Sequence, residues 1–143
     1  MKNKALNKLK IISMIGGIYE ILFGIMMIFF ILPLLNLLGL NITSLDYPIF
    51  SQTAGLLAMI LGLILFASSF NVERFQLNIL LIILLRFMIQ IILIYNTIII
   101  PSLALGLVSF GLIDLIFALL TIVFIKKSKL SMNLLKVIKP EVA

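Results

Sequence analysis

The chain has 143 residues, of which 64% are hydrophobic and 11% charged, with a formal net charge of +6 and a mean hydropathy of +1.35. Soluble domains are about 45–50% apolar and about 25% charged, so these figures exclude a soluble globular domain, a disordered chain and a small extracellular domain. The basic excess gathers at the two ends, with Lys2, Lys4, Lys8 and Lys10 first and Lys126, Lys127, Lys129, Lys136 and Lys139 last; this is the pattern of membrane orientation, not of a nucleic-acid-binding face.

A helix needs about 20 apolar residues to cross a hydrocarbon layer of about 30 Å, and four stretches reach that length. The first is 11–35. Its apolar run exceeds a signal-peptide core of about 7–15 residues, is interrupted by Glu20 and lacks a small-residue cleavage site, so it is expected to stay as a span. Ser13, Gly16, Gly17, Glu20 and Gly24 share one stripe of it, and small residues on a stripe let helices approach closely. Pro33, Asn36 and Gly39 end this span, or Pro33 kinks it. A polar loop follows over 41–48. Its Asn41-Ile42-Thr43 triplet matches the glycosylation pattern, but its neighbours are apolar and it is read as chance.

The second span is 49–70, with Gln52, Gly55, Ala58 or Met59, and Gly62 as its small and polar positions. A short charged turn at 71–76 carries Arg74. The third span, 77–100, holds Arg86, with Gln90 one turn on and Leu93 and Thr97 continuing that face. Asn96, Pro101 and Ser102 separate it from the fourth span, 103–125, and Pro101 suits the first turn there. Gly111, Asp114, Ala118 and Thr121 share a face of span four. Gly55 to Ala67 and Gly106 to Ala118 form a faint repeat, both opening on Gly-Leu and closing on Phe-Ala. Beyond lies a basic tail, 126–143, in which Leu130, Leu134, Val137 and Ile138 recur at helical spacing. It is expected either to lie on an anionic leaflet or to be solvated.

The basic residues then orient the chain. The N-terminal segment, the middle turn and the tail carry Lys or Arg, while the other two loops carry none. The fold class expected is all-α, a polytopic membrane protein of the cell membrane with four transmembrane helices in an antiparallel bundle, N-in and C-in.

Three ionisable residues lie inside spans. At 1.5 Å per residue, Glu20 and Arg86 fall about 13 Å from the inner ends of their spans and Asp114 about 16 Å. A lone charge at that depth costs roughly 2.5–3.5 kcal/mol, so the three are expected to converge, with the guanidinium between the carboxylates. Two carboxylates against one guanidinium leave one negative charge uncompensated, so one carboxyl is expected to hold a proton. Glu20, Arg86, Gln90 and Asp114 are therefore the candidates for binding or proton handling, beside a purely structural reading as an ion-pair brace. Tyr19, Tyr47 and Tyr95 are weaker signals, the last two read as interfacial anchors, and the seven Met as gap-fillers. With no Cys and no His in the chain, thiol chemistry and imidazole-bound haem or zinc are absent, and no cofactor or metal is expected.

Ile18-Tyr19-Glu20-Ile21-Leu22-Phe23-Gly24, the Gly55 to Gly62 stretch with Phe66-Ala67, and Asp114-Leu115-Ile116-Phe117-Ala118 together resemble small four-helix membrane proteins of the DoxX-like family over about residues 11–125. That resemblance implies four spans and a membrane subunit or accessory protein, with a homo-oligomer or another membrane protein as partner. Some members are linked to quinone-coupled oxidation of sulfur compounds, for which the missing Cys removes any thiol role. The small multidrug resistance exporters are similar in having a membrane-embedded Glu in span one; Arg86 and Asp114 depart from their pattern. Three functions stand: a non-enzymatic subunit, a proton-coupled carrier using Glu20 and Asp114, and a quinone-linked oxidoreductase subunit in which Arg86 and Gln90 meet a quinone oxygen.

Overall fold

The computed structural model describes residues 2–138. They form six helices and no strand: α1 (Lys2–Phe29), α2 (Ile31–Leu37), α3 (Pro48–Phe70), α4 (Gln76–Ile99), α5 (Ala104–Lys127) and α6 (Leu134–Ile138), with a 3-10 turn at Pro101–Leu103 leading into α5. Four of them are long and apolar enough to cross a membrane: α1, α3, α4 and the 3-10 turn continued by α5. Phe29, Leu37, Phe50, Ile91, Ile98 and Leu105 are all exposed on the outside, a surface that water would penalise and lipid tails would not. This is the make-up of a multi-pass membrane protein.

The spans read from hydropathy agree closely with α3 and α4. Span one differs in two ways. The helix starts at Lys2, nine residues before Ile11, because good helix formers such as Ala5, Leu6 and Leu9 carry the ladder on past the apolar run. It then breaks at Phe30, whose φ of −129° and ψ of 32° lie outside the helical region. The break is explained by Pro33, which has no N–H for the Phe29 carbonyl four residues back and whose ring collides with it. Pro48 and Pro101 stand instead at the first positions of their elements, where no intrahelical N–H is required.

The helices close a ring in which α1 packs on α3 and α5, and α4 packs on α5 and α3. The most extensive seam joins α1 to α3. Gly17 and Gly24 on α1 lie seven residues apart, as do Gly55 and Gly62 on α3, so each pair falls on one stripe two turns long. A Cβ at Gly17 would lie 2.7 Å from the Phe66 N and 2.8 Å from the Gly62 O; one at Gly55 would lie 2.7 Å from the Gly24 O. The backbones touch there, which only glycine permits. Of the small and polar positions read on span two, Gly55 and Gly62 are buried in this seam, whereas Gln52, one turn before Gly55, is exposed.

The two copies of the faint repeat do different things. Gly55 meets the α1 backbone, while Gly106 meets the Leu38 side chain. Ala67 is exposed, while Ala118 is fully buried.

Three of the tail's apolar positions pack on the bundle. Ser128 is buried and its hydroxyl donates to the Phe124 carbonyl at 2.6 Å, Lys129 takes a left-handed φ of 59°, and the chain folds back. Leu130, Leu134 and Val137 pack against a core of Leu9, Val72, Ile79 and Ile125, and the Gln76 amide donates to the Ser131 carbonyl. These three positions of the stripe face protein, whereas the fourth, Ile138, is exposed. Lys139, counted in the basic tail, lies outside the described residues.

A candidate charged site at the bundle centre

Each ionisable residue of the spans comes from a different helix: Glu20 from α1, Arg86 from α4 and Asp114 from α5. Because α1 and α4 are diagonal in the ring, only a long side chain can join them, and Arg86 does so. Its Nη2 donates to Glu20 Oε1 at 3.1 Å. Its Nε lies 3.9 Å from Asp114 Oδ1, close enough for Coulomb attraction and too far for a hydrogen bond. Arg86 is 4% exposed, and the carboxylates 16% and 15%.

Room for the guanidinium is made on α1. A Cβ at Gly16 would stand 3.2 Å from Arg86 Nη2 and 3.3 Å from Leu65 Cδ2 of α3. The opposite side is closed by α5, where the Phe117 ring lies 4.9 Å from Arg86 Cζ. Residues of α1 and α5 therefore enclose a guanidinium carried by α4, with Leu65 of α3 beside Gly16. Phe117 in turn packs on Tyr19 at 5.7 Å between centroids, and Tyr19 leads through Phe23 at 6.4 Å to Phe110, which lies 5.2 Å from Phe23. This aromatic column fastens α1 to α5 beside the charges.

Gln90 is brought near the cluster but not into it. Its Nε2 donates to the Arg86 carbonyl one turn back at 3.2 Å, and a Cβ at Gly111 would meet its Oε1 at 2.9 Å. The amide thus fills the space that Gly111 leaves on α5. Three buried polar atoms have no hydrogen-bond partner among the described residues: Ser13 Oγ, Arg86 Nε and Asp114 Oδ1. The charge distribution is therefore uneven: Glu20 takes the guanidinium's hydrogen bond and Asp114 does not.

Gly16 stands on the stripe of Glu20 and Tyr19 is among the weaker sequence signals, whereas nothing in the sequence analysis singles out Phe117. Phe117 had one usable signal, since it lies three residues past Asp114 and so on the same side of a helix. Tyr47 and Tyr95 are both exposed.

The ring over Arg86 should be measurable. Phe117→Leu is expected to cost about 1–2 kcal/mol through the lost cation–π contact, read by unfolding the protein in bicelles. Phe110→Leu, which removes a ring of the same column with no cation over it, should cost less; equal costs would refute the contribution of the cation.

Comparison of the chain with protein-family models, with curated proteins and with solved structures finds no match.

Proposed function

We propose that this chain is a DoxX-like membrane subunit or accessory protein of the cell membrane, antiparallel, N-in and C-in, whose central charges brace the bundle for docking with another membrane protein or a second copy. The observation that carries this reading is the closed packing of Arg86. Its guanidinium is hydrogen-bonded by Glu20, attracted by Asp114, seated over Gly16 and roofed by Phe117. A group carried by α4 and held from α1 and α5 sets the register of three helices and leaves little freedom to move cargo past it. The glycine pairing supports the antiparallel arrangement, since Gly17 stands by Gly62 and Gly24 by Gly55. The lysines at both ends support the orientation, and those of the tail suit an anionic leaflet.

A specific observation favours a second reading, a proton-coupled carrier. Asp114 Oδ1 and Arg86 Nε face each other without a hydrogen bond, so Asp114 is the carboxyl best placed to gain and lose a proton. The quinone-linked reading draws no such support, because the Gln90 amide already serves the Arg86 carbonyl.

Mild extraction of the full-length chain with a tag, followed by mass spectrometry, is expected to recover one fixed membrane partner or a defined oligomer. Recovery as bare monomers would overturn the subunit reading. Substrate-driven proton flux in liposomes that Asp114→Asn abolishes would establish the carrier instead.

A further inference from the structure

A second cluster of charge lies at the other end of α1 and α5. A cavity of about 330 Å³ opens there, lined by Lys4, Ala5, Lys8, Phe124 and Lys127. Two of its ammonium groups share one ring: Lys8 Nζ lies 5.6 Å and Lys127 Nζ 5.9 Å from the Phe124 centroid. Lys4 is one turn from Lys8 on the same face of α1. Among the described residues none of these three lysines makes an ion pair, while nearby Lys2 has Glu73 at 3.5 Å. Three like charges around one apolar floor repel one another unless an anion sits between them.

Depth says which anion. Counting 1.5 Å per residue from the charged centre, Phe124 is ten residues from Asp114, or about 15 Å, at the edge of a hydrocarbon layer of about 30 Å. Lys8 is twelve residues from Glu20 and Lys127 thirteen from Asp114, about 18–20 Å out, at the level of lipid phosphates. The floor made by Ala5 and Phe124 suits the glycerol and first methylenes of a lipid, and the rim suits its phosphate.

We infer that Lys4, Lys8 and Lys127, arranged around Phe124, form a binding site for the phosphate of one anionic phospholipid. The site rests on the membrane placement proposed above but not on the subunit role, and it uses none of the central charges.

The test uses the full chain in nanodiscs of phosphatidylcholine with a minor share of phosphatidylglycerol, with retained lipid read by native mass spectrometry. The wild type is expected to keep one phosphatidylglycerol. Lys4→Gln/Lys8→Gln/Lys127→Gln should lower that retention roughly tenfold or more. Lys126→Gln/Lys129→Gln/Lys136→Gln, which removes the same charge from exposed residues outside the cavity, should leave it unchanged. Equal loss in both triple variants would reduce the site to diffuse attraction and overturn it. Wild-type retention of phosphatidylcholine equal to that of phosphatidylglycerol would also overturn it, without recourse to any variant. A further arm adds inorganic phosphate: displacement of the lipid at millimolar phosphate would assign the site to a soluble anion instead. Failure to recover a protein partner, with lipid retention intact, would remove the subunit reading and leave this site standing.

Discussion

Arg86→Met is expected to lower stability by about 3–5 kcal/mol, the cost of leaving buried charge without its counter-charge. The substitution keeps an unbranched chain but stops about where Nε stands, so the space of the guanidinium between Gly16 and Phe117 is vacated as well, and equally so in the triple variant below. What is lost is the charge that compensates Glu20 at 3.1 Å and Asp114 at 3.9 Å. The companion Glu20→Gln/Arg86→Met/Asp114→Asn removes all three charges together, and a buried cluster replaced as a whole is often neutral in stability. The triple variant is therefore expected to be more stable than the single one, read by denaturant titration in bicelles. A single variant costing under about 1 kcal/mol, or a triple variant worse than the single, would show that the cluster does not hold the bundle together.

Gly17→Ala and Gly62→Ala are each expected to cost about 1–3 kcal/mol by overpacking the α1–α3 seam. The new methyl at either position meets backbone, with Phe66 N at 2.7 Å from Gly17 and Ile21 N at 2.7 Å from Gly62, and backbone cannot step aside without separating the helices. The double variant should cost less than the sum, because the first methyl already opens the gap that the second needs. Gly16→Ala is the internal comparison. It stands next to Gly17 in sequence, yet it meets side-chain ends, Arg86 Nη2 at 3.2 Å and Leu65 Cδ2 at 3.3 Å, which can move by a few tenths of an ångström. Its cost is expected to be smaller, roughly 1 kcal/mol or less. Equal costs at Gly16 and Gly17 would falsify the distinction between a backbone seam and a side-chain cradle.

The two predictions concern features of unequal visibility. The glycine stripes of α1 and α3 stand out in sequence at seven-residue spacing, and three ionisable residues inside apolar text cannot be missed. Their common depth follows from counting residues. Nothing in the spacing says that Arg86 is hydrogen-bonded by Glu20 and only attracted by Asp114, since that depends on the rotation of α5 relative to α4. Phe117 looks like any other Phe of an apolar helix until α4 is placed beside it. Leu130, Leu134 and Val137 show a stripe without showing what it faces, and the buried turn at Ser128 sends it to the bundle.

The number of long apolar helices, the centre of each, the small-residue stripes and the level of the three charges can all be read along the chain. These are local quantities, set by hydropathy along a segment and by the 3.6-residue period. That α1 lies between α3 and α5, that Arg86 crosses the diagonal, that Phe117 roofs it and that the tail folds back emerge only when the helices are packed. Those outcomes turn on how segments distant in sequence rotate and fit against one another. Van der Waals contact and charge pairing between helices select that fit, and no window along one helix contains it.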